Sequence, residues 1–333
     1  MRTPDIAAKV AFLSRPAVYP EAPRSVERVE THMSWVFLTD CFAYKLKKPV
    51  RYDSLDFSSL ELRRFDCEEE VRLNRRLAGE VYLGTLALTR TSDGALELGG
   101  TGETLDWLVH MRRLPADRML DAQIQRGTIE EADVRPAAER LSQFYARAEA
   151  ETIAPDAYRK LLAEGVRSDL QELGRPEFGL PAERVANLAE AQLAFLEQRA
   201  ALFDQRVLRG RIVEGHGDLR PEHICLTSDP AIIDCLEFSR ELRIVDPADE
   251  LAFLALECER LGKPVVGRWF LETYTRVTGD EPPEVLMHFH RTYRAMRRAK
   301  IAAWHLQDPS VRDQEKWRER ARCYVELASR EPR

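Results

Sequence analysis

The spacing of polar and apolar positions changes period several times along the chain. Residues 4–14 repeat at helical spacing up to Arg15-Pro16 and predict a short amphipathic helix. From Ser25 the period is two, and SVERVETHMSWVFLTDCFAYKLKKPV predicts two or three antiparallel strands with a turn at Thr39-Asp40. Ser58-Ser59-Leu60-Glu61 has capping-box spacing and opens a helix to about Leu77, whose apolar stripe is Leu62, Phe65, Val71, Leu73 and Leu77. Strands return over 81–114, the last running from Leu105 to Met111, with a turn at Ser92-Asp93-Gly94. From Thr128, where Thr128-Ile129-Glu130-Glu131 is a second capping box, the pattern is helical to Gln205, ending in a long amphipathic helix from Ala182. Asp246-Pro247 opens another helix that Gly262 closes, and 264–333 is helical again, with Pro282-Pro283 between two helices.

Between these helices lies the stretch that carries chemistry. Ile212-Val213, Ile224-Cys225-Leu226 and Ala231-Ile232-Ile233 are three short apolar strands, the last two returning on each other through Ser228-Asp229-Pro230. The loop after the first strand collects His216, Asp218, Arg220 and His223, and the hairpin is expected to bring Asp234 beside the loop that bears Asp218. Two carboxylates so placed suit phosphoryl transfer. One accepts the proton of an attacking hydroxyl, and the other holds the metal ions that neutralise phosphate charge.

His216-Gly217-Asp218-Leu219-Arg220-Pro221-Glu222-His223 resembles the kinase catalytic loop H-x-D-L-x-x-x-N, with Asp234-Cys235-Leu236 where D-F-G would stand. The HGDL opening and the IIDCLEFS that follows resemble the aminoglycoside phosphotransferase-like kinases. That resemblance implies an α+β, bilobal protein-kinase-like fold: a small N-terminal antiparallel-sheet lobe for nucleotide, 1–110, and a larger, mainly helical lobe for catalysis and acceptor, 111–333. It implies Lys45, in Ala43-Tyr44-Lys45, as the phosphate-binding lysine, with Lys47 on the same strand face as its rival. Glu70 would be the acid that pairs with that lysine. Thr31 and Ser34 stand where a glycine-rich loop is missing, and backbone near Val109 and Met111 would meet adenine. Asp218 would be the catalytic base, Arg220 would steady the transferred group, and His216 would hold the loop. Asp234 would bind metal, with His223 at the second metal ligand's position, where the pattern has Asn. Asp249 or Glu250, in a variant of D-P-x-x-D-L-A, would brace the loop. The cofactors implied are ATP and Mg2+, with Mn2+ an alternative because imidazole suits magnesium poorly.

Composition narrows the partners. At 333 residues the chain exceeds the usual single core, and a net charge of -6 leaves no electrostatic footprint for nucleic acid. The six cysteines are scattered without a C-x-x-C pair, and no segment has the roughly 18 apolar residues of a membrane span or the shape of a leader peptide. A reduced, cytoplasmic protein is expected. His288 and His290 do not share a helix face; Arg291, Arg294, Arg297 and Arg298 could collect an anionic partner, and a solvated helical face is the preferred account. Three functions remain open: a kinase for a small-molecule hydroxyl, a nucleotide-binding regulator without turnover, and a protein kinase. The last is disfavoured because no A-P-E follows Asp234.

Overall fold

The structure, a computed structural model, describes residues 5–52, 55–307, 311 and 313–330. Expectations that fall on residues 1–4, 53–54, 308–310, 312 and 331–333 lie outside the described residues. The fold is α+β, and its packing divides the chain into two compact units. One holds the residues up to Ala122 together with Glu222–Leu242, and the other holds Gln123–Pro221 together with the chain from Arg243 onward. The sequence placed a single boundary at 110/111. Here the first unit runs on to Ala122 and takes back the hairpin segment after the catalytic-type loop.

In the sheet unit, α1 (Ile6–Leu13) precedes β1 (Glu27–Glu30), β2 (Ser34–Leu38) and β3 (Phe42–Lys47). A small hairpin, β4 (Arg51–Tyr52) and β5 (Leu55–Asp56), leads to α2 (Leu60–Ala78). Then come β6 (Tyr82–Arg90), β7 (Leu96–Leu98) and β8 (Glu103–Arg112). The main sheet has six strands in the order β1-β2-β3-β8-β6-β7, every pair antiparallel. Alternation along β3 sorts its side chains to two faces. Tyr44 and Leu46 enter a core with Phe12, Leu13, Phe37 and Leu108, whereas Ala43 joins Cys67, Val71, Tyr82 and Val109 from the α2 side.

α2 is where hydrophobic spacing misleads. Its N-cap is Ser59, whose hydroxyl accepts from the Leu62 N–H, while Ser58 bonds Asp56. Of the expected stripe, Phe65 is 60% and Leu62 39% exposed. Val71, Leu73 and Leu77 of that stripe are buried, and they share the inward side with Arg63, Asp66, Cys67, Glu70 and Asn74. Polar groups can occupy a buried face when each finds a partner. Arg63 Nε donates to Asp106 Oδ1 at 2.7 Å, Lys9 Nζ to Asp106 Oδ2 at 2.6 Å, and Asn74 Nδ2 to the Glu70 carbonyl at 2.8 Å.

The helical unit contains most of α3 (Leu120–Arg126), then α4 (Glu131–Arg147), α5 (Pro155–Leu173), α6 (Ala182–Gln198) and α7 (Ala200–Leu208). The capping box of α4 is Glu130 with Asp133, three residues from its first serine-like candidate at Thr128 counted inclusively. The single helix expected over 182–205 is broken at Arg199, which leaves helical geometry. Two short strands follow, β9 (Val213–Glu214) and, after the sheet unit's antiparallel β10 (Ile224–Cys225) and β11 (Ala231–Ile232), β12 (Ile244–Val245). β12 pairs antiparallel with β9. The chain ends in α8 (Pro247–Arg260), α9 (Pro264–Thr278), α10 (Glu284–Trp304) and α11 (Gln314–Ala328). α10 runs through two cores, giving Leu286, Phe289 and Tyr293 to one and Ala295, Met296 and Ala299 to the other. Arg206, buried, grips both Asp246 and Asp280 through contacts of 2.6–2.7 Å, which ties α7 to the N-cap of α8.

Asp66 gives this packing a pH signature. Burial, with Glu237, Glu70 and Glu69 nearby, pushes its carboxyl up to about 6, against a smaller opposing pull from Lys47. A carboxyl raised in the fold contributes stability when protonated. That contribution is complete below the ordinary carboxylate range and is lost as pH rises through about 6. Asp66→Asn, neutral at every pH, is therefore expected to raise stability near pH 8 by about 1–3 kcal/mol and to change it little near pH 4. Denaturant midpoints at the two pH values check this.

Candidate functional site

Each unit carries its own constellation. In the sheet unit, β3 projects Lys45 and Lys47 to the same face, and the Glu70 carboxylate of α2 lies between them. Lys45 Nζ donates to Glu70 Oε1 at 2.9 Å and Lys47 Nζ to Glu70 Oε2 at 2.8 Å. Lys45 also donates to Asp234 Oδ1 at 3.0 Å, and Lys47 to Glu237 Oε1. Lys47 has no exposed surface and packs over the Phe57 ring, whereas the Lys45 side chain is 16% exposed. Burial lowers the Lys45 pKa, but Asp234, Glu70 and Glu237 more than offset it and hold the ammonium well above the lysine range. Burial likewise opposes ionisation of Glu70, and the two lysines override it.

Asp234 follows β11 in a left-handed backbone conformation, φ 62, which side chains with a Cβ adopt at a cost. The turn is held by α2 and β6. The Asp234 N–H donates to the Tyr82 hydroxyl at 3.2 Å, and the Cys235 N–H to Asn74 Oδ1 at 2.9 Å. Glu70 and Asn74, four apart on α2, thus serve the lysines and the aspartate turn together. His223 Nε2 stands 3.5 Å from Asp234 Oδ2. A nitrogen and a carboxylate oxygen make a poor preformed cage for magnesium, and no group of three or more candidate metal ligands occurs among the described residues. The Asp234 side chain is 47% exposed, which suits the mode in which Mg2+ takes one or two carboxylates and completes its shell with phosphate and water.

The other nucleotide expectations fare differently. Thr31 Oγ1 accepts from the Ser34 N–H at 2.9 Å, and the Thr31 N–H donates to the Ser34 carbonyl at 2.9 Å. These amides close the β1–β2 turn on itself, so phosphate binding by them would require the turn to open. Val109 and Met111 lie within β8, paired on both sides: Val109 with Lys45 and Thr85, Met111 with Ala43 and Tyr82. The sheet engages the backbone there, which corrects their assignment to a base contact.

In the helical unit, the loop after β9 is built on Glu250 of α8. This fully buried carboxylate accepts from the His216 N–H at 3.0 Å, from the Gly217 N–H, and from the Tyr145 hydroxyl at 2.7 Å. Burial raises the Glu250 pKa, and these donors counter it only in part. Arg294 of α10 grips Asp249 through two bonds of 2.7 and 2.8 Å and donates to the Gly217 carbonyl at 3.1 Å. Asp249 and Glu250 therefore brace the loop, as the sequence suggested. Gly217 sits at φ 89, open to glycine without strain. The Asp218 N–H donates to His216 Nδ1 at 3.3 Å, so His216, buried, organises the loop. Arg220 Nε donates to Asp218 Oδ2 at 3.0 Å. Arg298 of α10, missed as a site residue, has Nη1 3.9 Å from Asp218 Oδ1. Its helical spacing from Arg294 was the available signal.

No family model matches the chain. Similar solved structures include the GDP complex of wild-type aminoglycoside 2'-phosphotransferase-IIIa, with a TM-score of 0.55 and 14% identity, covering 97% of this chain and 98% of that one. An ethanolamine kinase of Plasmodium vivax has a TM-score of 0.53 and 10% identity over 92% of this chain and 82% of its own. The chain has an aminoglycoside phosphotransferase-like, protein-kinase-like fold. Among sequences, it is 36% identical over 275 residues to uncharacterized proteins of Mycobacterium tuberculosis and Mycobacterium bovis, a match over 82% of this chain. The chain spans about half the length of these relatives, 53%. In this kinase-like fold, no helix among the described residues is long and apolar enough to cross a membrane.

The Glu250 brace depends on close approach by Gly215. A Cβ there would lie 2.5 Å from Glu250 Oε2 and 2.6 Å from Val245 Cγ2. Gly215→Ala is expected to cost about 1–3 kcal/mol, the scale of overpacking in a filled interior. Equilibrium denaturation measures it, and an unchanged midpoint would mean that the loop is not pinned at Glu250.

Proposed function

We propose that the protein is an ATP-dependent phosphotransferase that moves the γ-phosphoryl group to a hydroxyl of a small molecule. The observation that carries this reading is Lys45, ion-paired at once with Glu70 and Asp234. Its ammonium has three N–H donors, two of them engaged by these carboxylates, and the third suits a phosphate oxygen. Asp234 would hold Mg2+, which when bound supplies charge neutralisation at the terminal phosphates. His223, facing the other oxygen of Asp234, orients that carboxylate. On the loop, Asp218 accepts the proton of the attacking hydroxyl and Arg220 offsets charge on the transferred group. Val109 and Met111 are held between β3 and β6 and do not serve the base. The segment just after β8, where sheet pairing ends, takes that role. The sheet unit is then the nucleotide-binding part and the helical unit the catalytic and acceptor-binding part.

One observation favours a second reading. His223 stands where this loop pattern has an oxygen ligand, and magnesium prefers oxygen. A nucleotide-binding regulator without turnover would bind nucleotide in calorimetry yet release no ADP with any acceptor pool.

The two lysines should separate by phenotype. Lys45→Met is expected to weaken metal-nucleotide binding about 10-fold or more with a modest change in stability. Lys47→Met removes the buried partner of Glu237 and half the pairing of Glu70, and should cost about 3–5 kcal/mol of stability. Calorimetry with nucleotide and denaturation of each variant read the two effects, and a reversal would exchange the assignments.

The two aspartates act at different stages. Asp234→Asn is expected to weaken metal-nucleotide affinity and turnover together. Asp218→Asn should leave nucleotide affinity near the parent's while lowering ADP release with acceptor by roughly 100-fold or more, the scale of a positioned general base. An Asp218→Asn variant that turns over like the parent would sink the catalytic assignment.

A further inference from the structure

Beyond β11 the chain leaves its hairpin, and three successive backbone N–H groups are met from three different segments. The Ile233 N–H donates to the His223 carbonyl at 2.9 Å, the Asp234 N–H to the Tyr82 hydroxyl at 3.2 Å and the Cys235 N–H to Asn74 Oδ1 at 2.9 Å. Tyr82 begins β6 and Asn74 lies on α2, so the second and third bonds come from side chains outside the hairpin. Both acceptors are buried, Tyr82 with 2% and Asn74 with 1% of its surface exposed. The Asn74 amide is fixed from both ends: Nδ2 donates to the Glu70 carbonyl at 2.8 Å, and Oδ1 takes the Cys235 N–H.

The residue between these bonds has an unusual backbone. Among the described residues, only Ala22 and Asp234 combine a side chain with a positive φ, and Asp234 sits at φ 62. Such a conformation is costly for a residue with a Cβ and persists where the surroundings fix it. In it, Asp234 presents Oδ1 to Lys45 Nζ at 3.0 Å and Oδ2 to His223 Nε2 at 3.5 Å. Freed from the two side-chain acceptors, the backbone would return to negative φ, and that rotation would turn the carboxylate away. The restraint also forms a closed ring. Lys45 joins the Asp234 carboxylate to Glu70, Glu70 lies one helical turn before Asn74, and Asn74 holds the N–H that follows Asp234. Side chain and backbone of one aspartate are thus both referred to the same turn of α2.

We infer that Asn74 and Tyr82 are positioning residues for metal-nucleotide binding: they hold Asp234 in its left-handed conformation and so aim its carboxylate, without touching metal or nucleotide themselves. This rests on the phosphotransfer reading above, in which Asp234 holds Mg2+. A carboxylate already aimed loses less freedom when the ion arrives, and partners behind a metal ligand contribute about 10-fold or more to affinity. If the two side chains merely satisfied buried amides, their loss would lower stability and act on binding independently of Asp234. If they position, their effect on binding runs through the Asp234 carboxylate and disappears with it.

The test compares the full chain with Asn74→Leu and Tyr82→Phe, each alone and combined with Asp234→Asn. Hydrogen exchange of the ligand-free chain reads the turn, and calorimetry with ATP and Mg2+ or Mn2+ reads binding. In the single variants, exchange at residues 234 and 235 should become about 10-fold faster. Metal-nucleotide affinity should fall about 10-fold. In the Asp234→Asn background the same substitutions should change affinity by less than about twofold. Should Asn74→Leu fail to fold, Tyr82→Phe, which removes a single oxygen from a packed ring, carries the comparison. Unchanged exchange, unchanged metal-nucleotide affinity in the single variants, or losses that add in full to that of Asp234→Asn would overturn the positioning role while leaving nucleotide binding in place. No nucleotide binding by the parent with either metal would overturn the phosphotransfer reading and this inference with it.

Discussion

The sheet unit is organised by one buried carboxylate. Glu70 has 1% of its surface exposed, and a lone carboxylate so placed would cost several kcal/mol and shift toward its neutral form. Lys45 and Lys47 prevent that by taking one oxygen each, which is possible because they stand two apart on a strand and so share a face. Lys47, with no exposed surface, is the partner whose loss would leave an oxygen of Glu70 unmatched in the interior, whereas Lys45 is partly exposed. The requirement therefore fixes the register of β3 against α2 as firmly as apolar packing does. It also fixes Asp234, since Lys45 reaches Asp234 with the same ammonium and Asn74, one turn beyond Glu70, holds the next backbone amide.

The helical unit solves a similar problem with a different donor set. Glu250 has no cation in direct contact with its oxygens among the bonds described. It is matched by two backbone amides of the loop and a tyrosine hydroxyl. A carboxylate satisfied by N–H groups holds backbone, so the burial of Glu250 determines the shape of the loop that carries Asp218. Asp249 beside it takes the cation: burial opposes its ionisation, and Arg294, helped by His290, overrides this and holds the carboxyl well below the usual range. Arg294 then reaches the Gly217 carbonyl. Two adjacent acids on one helix thus secure the N–H side and the C=O side of the same short loop.

This explains what the sequence made legible. A motif order singles out Lys45, Glu70, Asp218 and Asp234, and the structure pairs Lys45 with Glu70 and Asp234; the brace at Asp249 and Glu250 is signalled by the same order. Periodicity failed where burial is polar. On α2 it selected Leu62 and Phe65, which face outward, over Arg63, Glu70 and Asn74, which face in. On α10 it assigned Arg294, Arg297 and Arg298 to solvent. Charged side chains are ordinarily outside, and their inward placement depends on partners such as Asp106, Asp249 and Asp169, distant in sequence and invisible to a local pattern. The break at Arg199 and the two-residue strand Ile244–Val245 escaped for a related reason. Neither carries a proline or a long apolar run, and each is set by tertiary pairing.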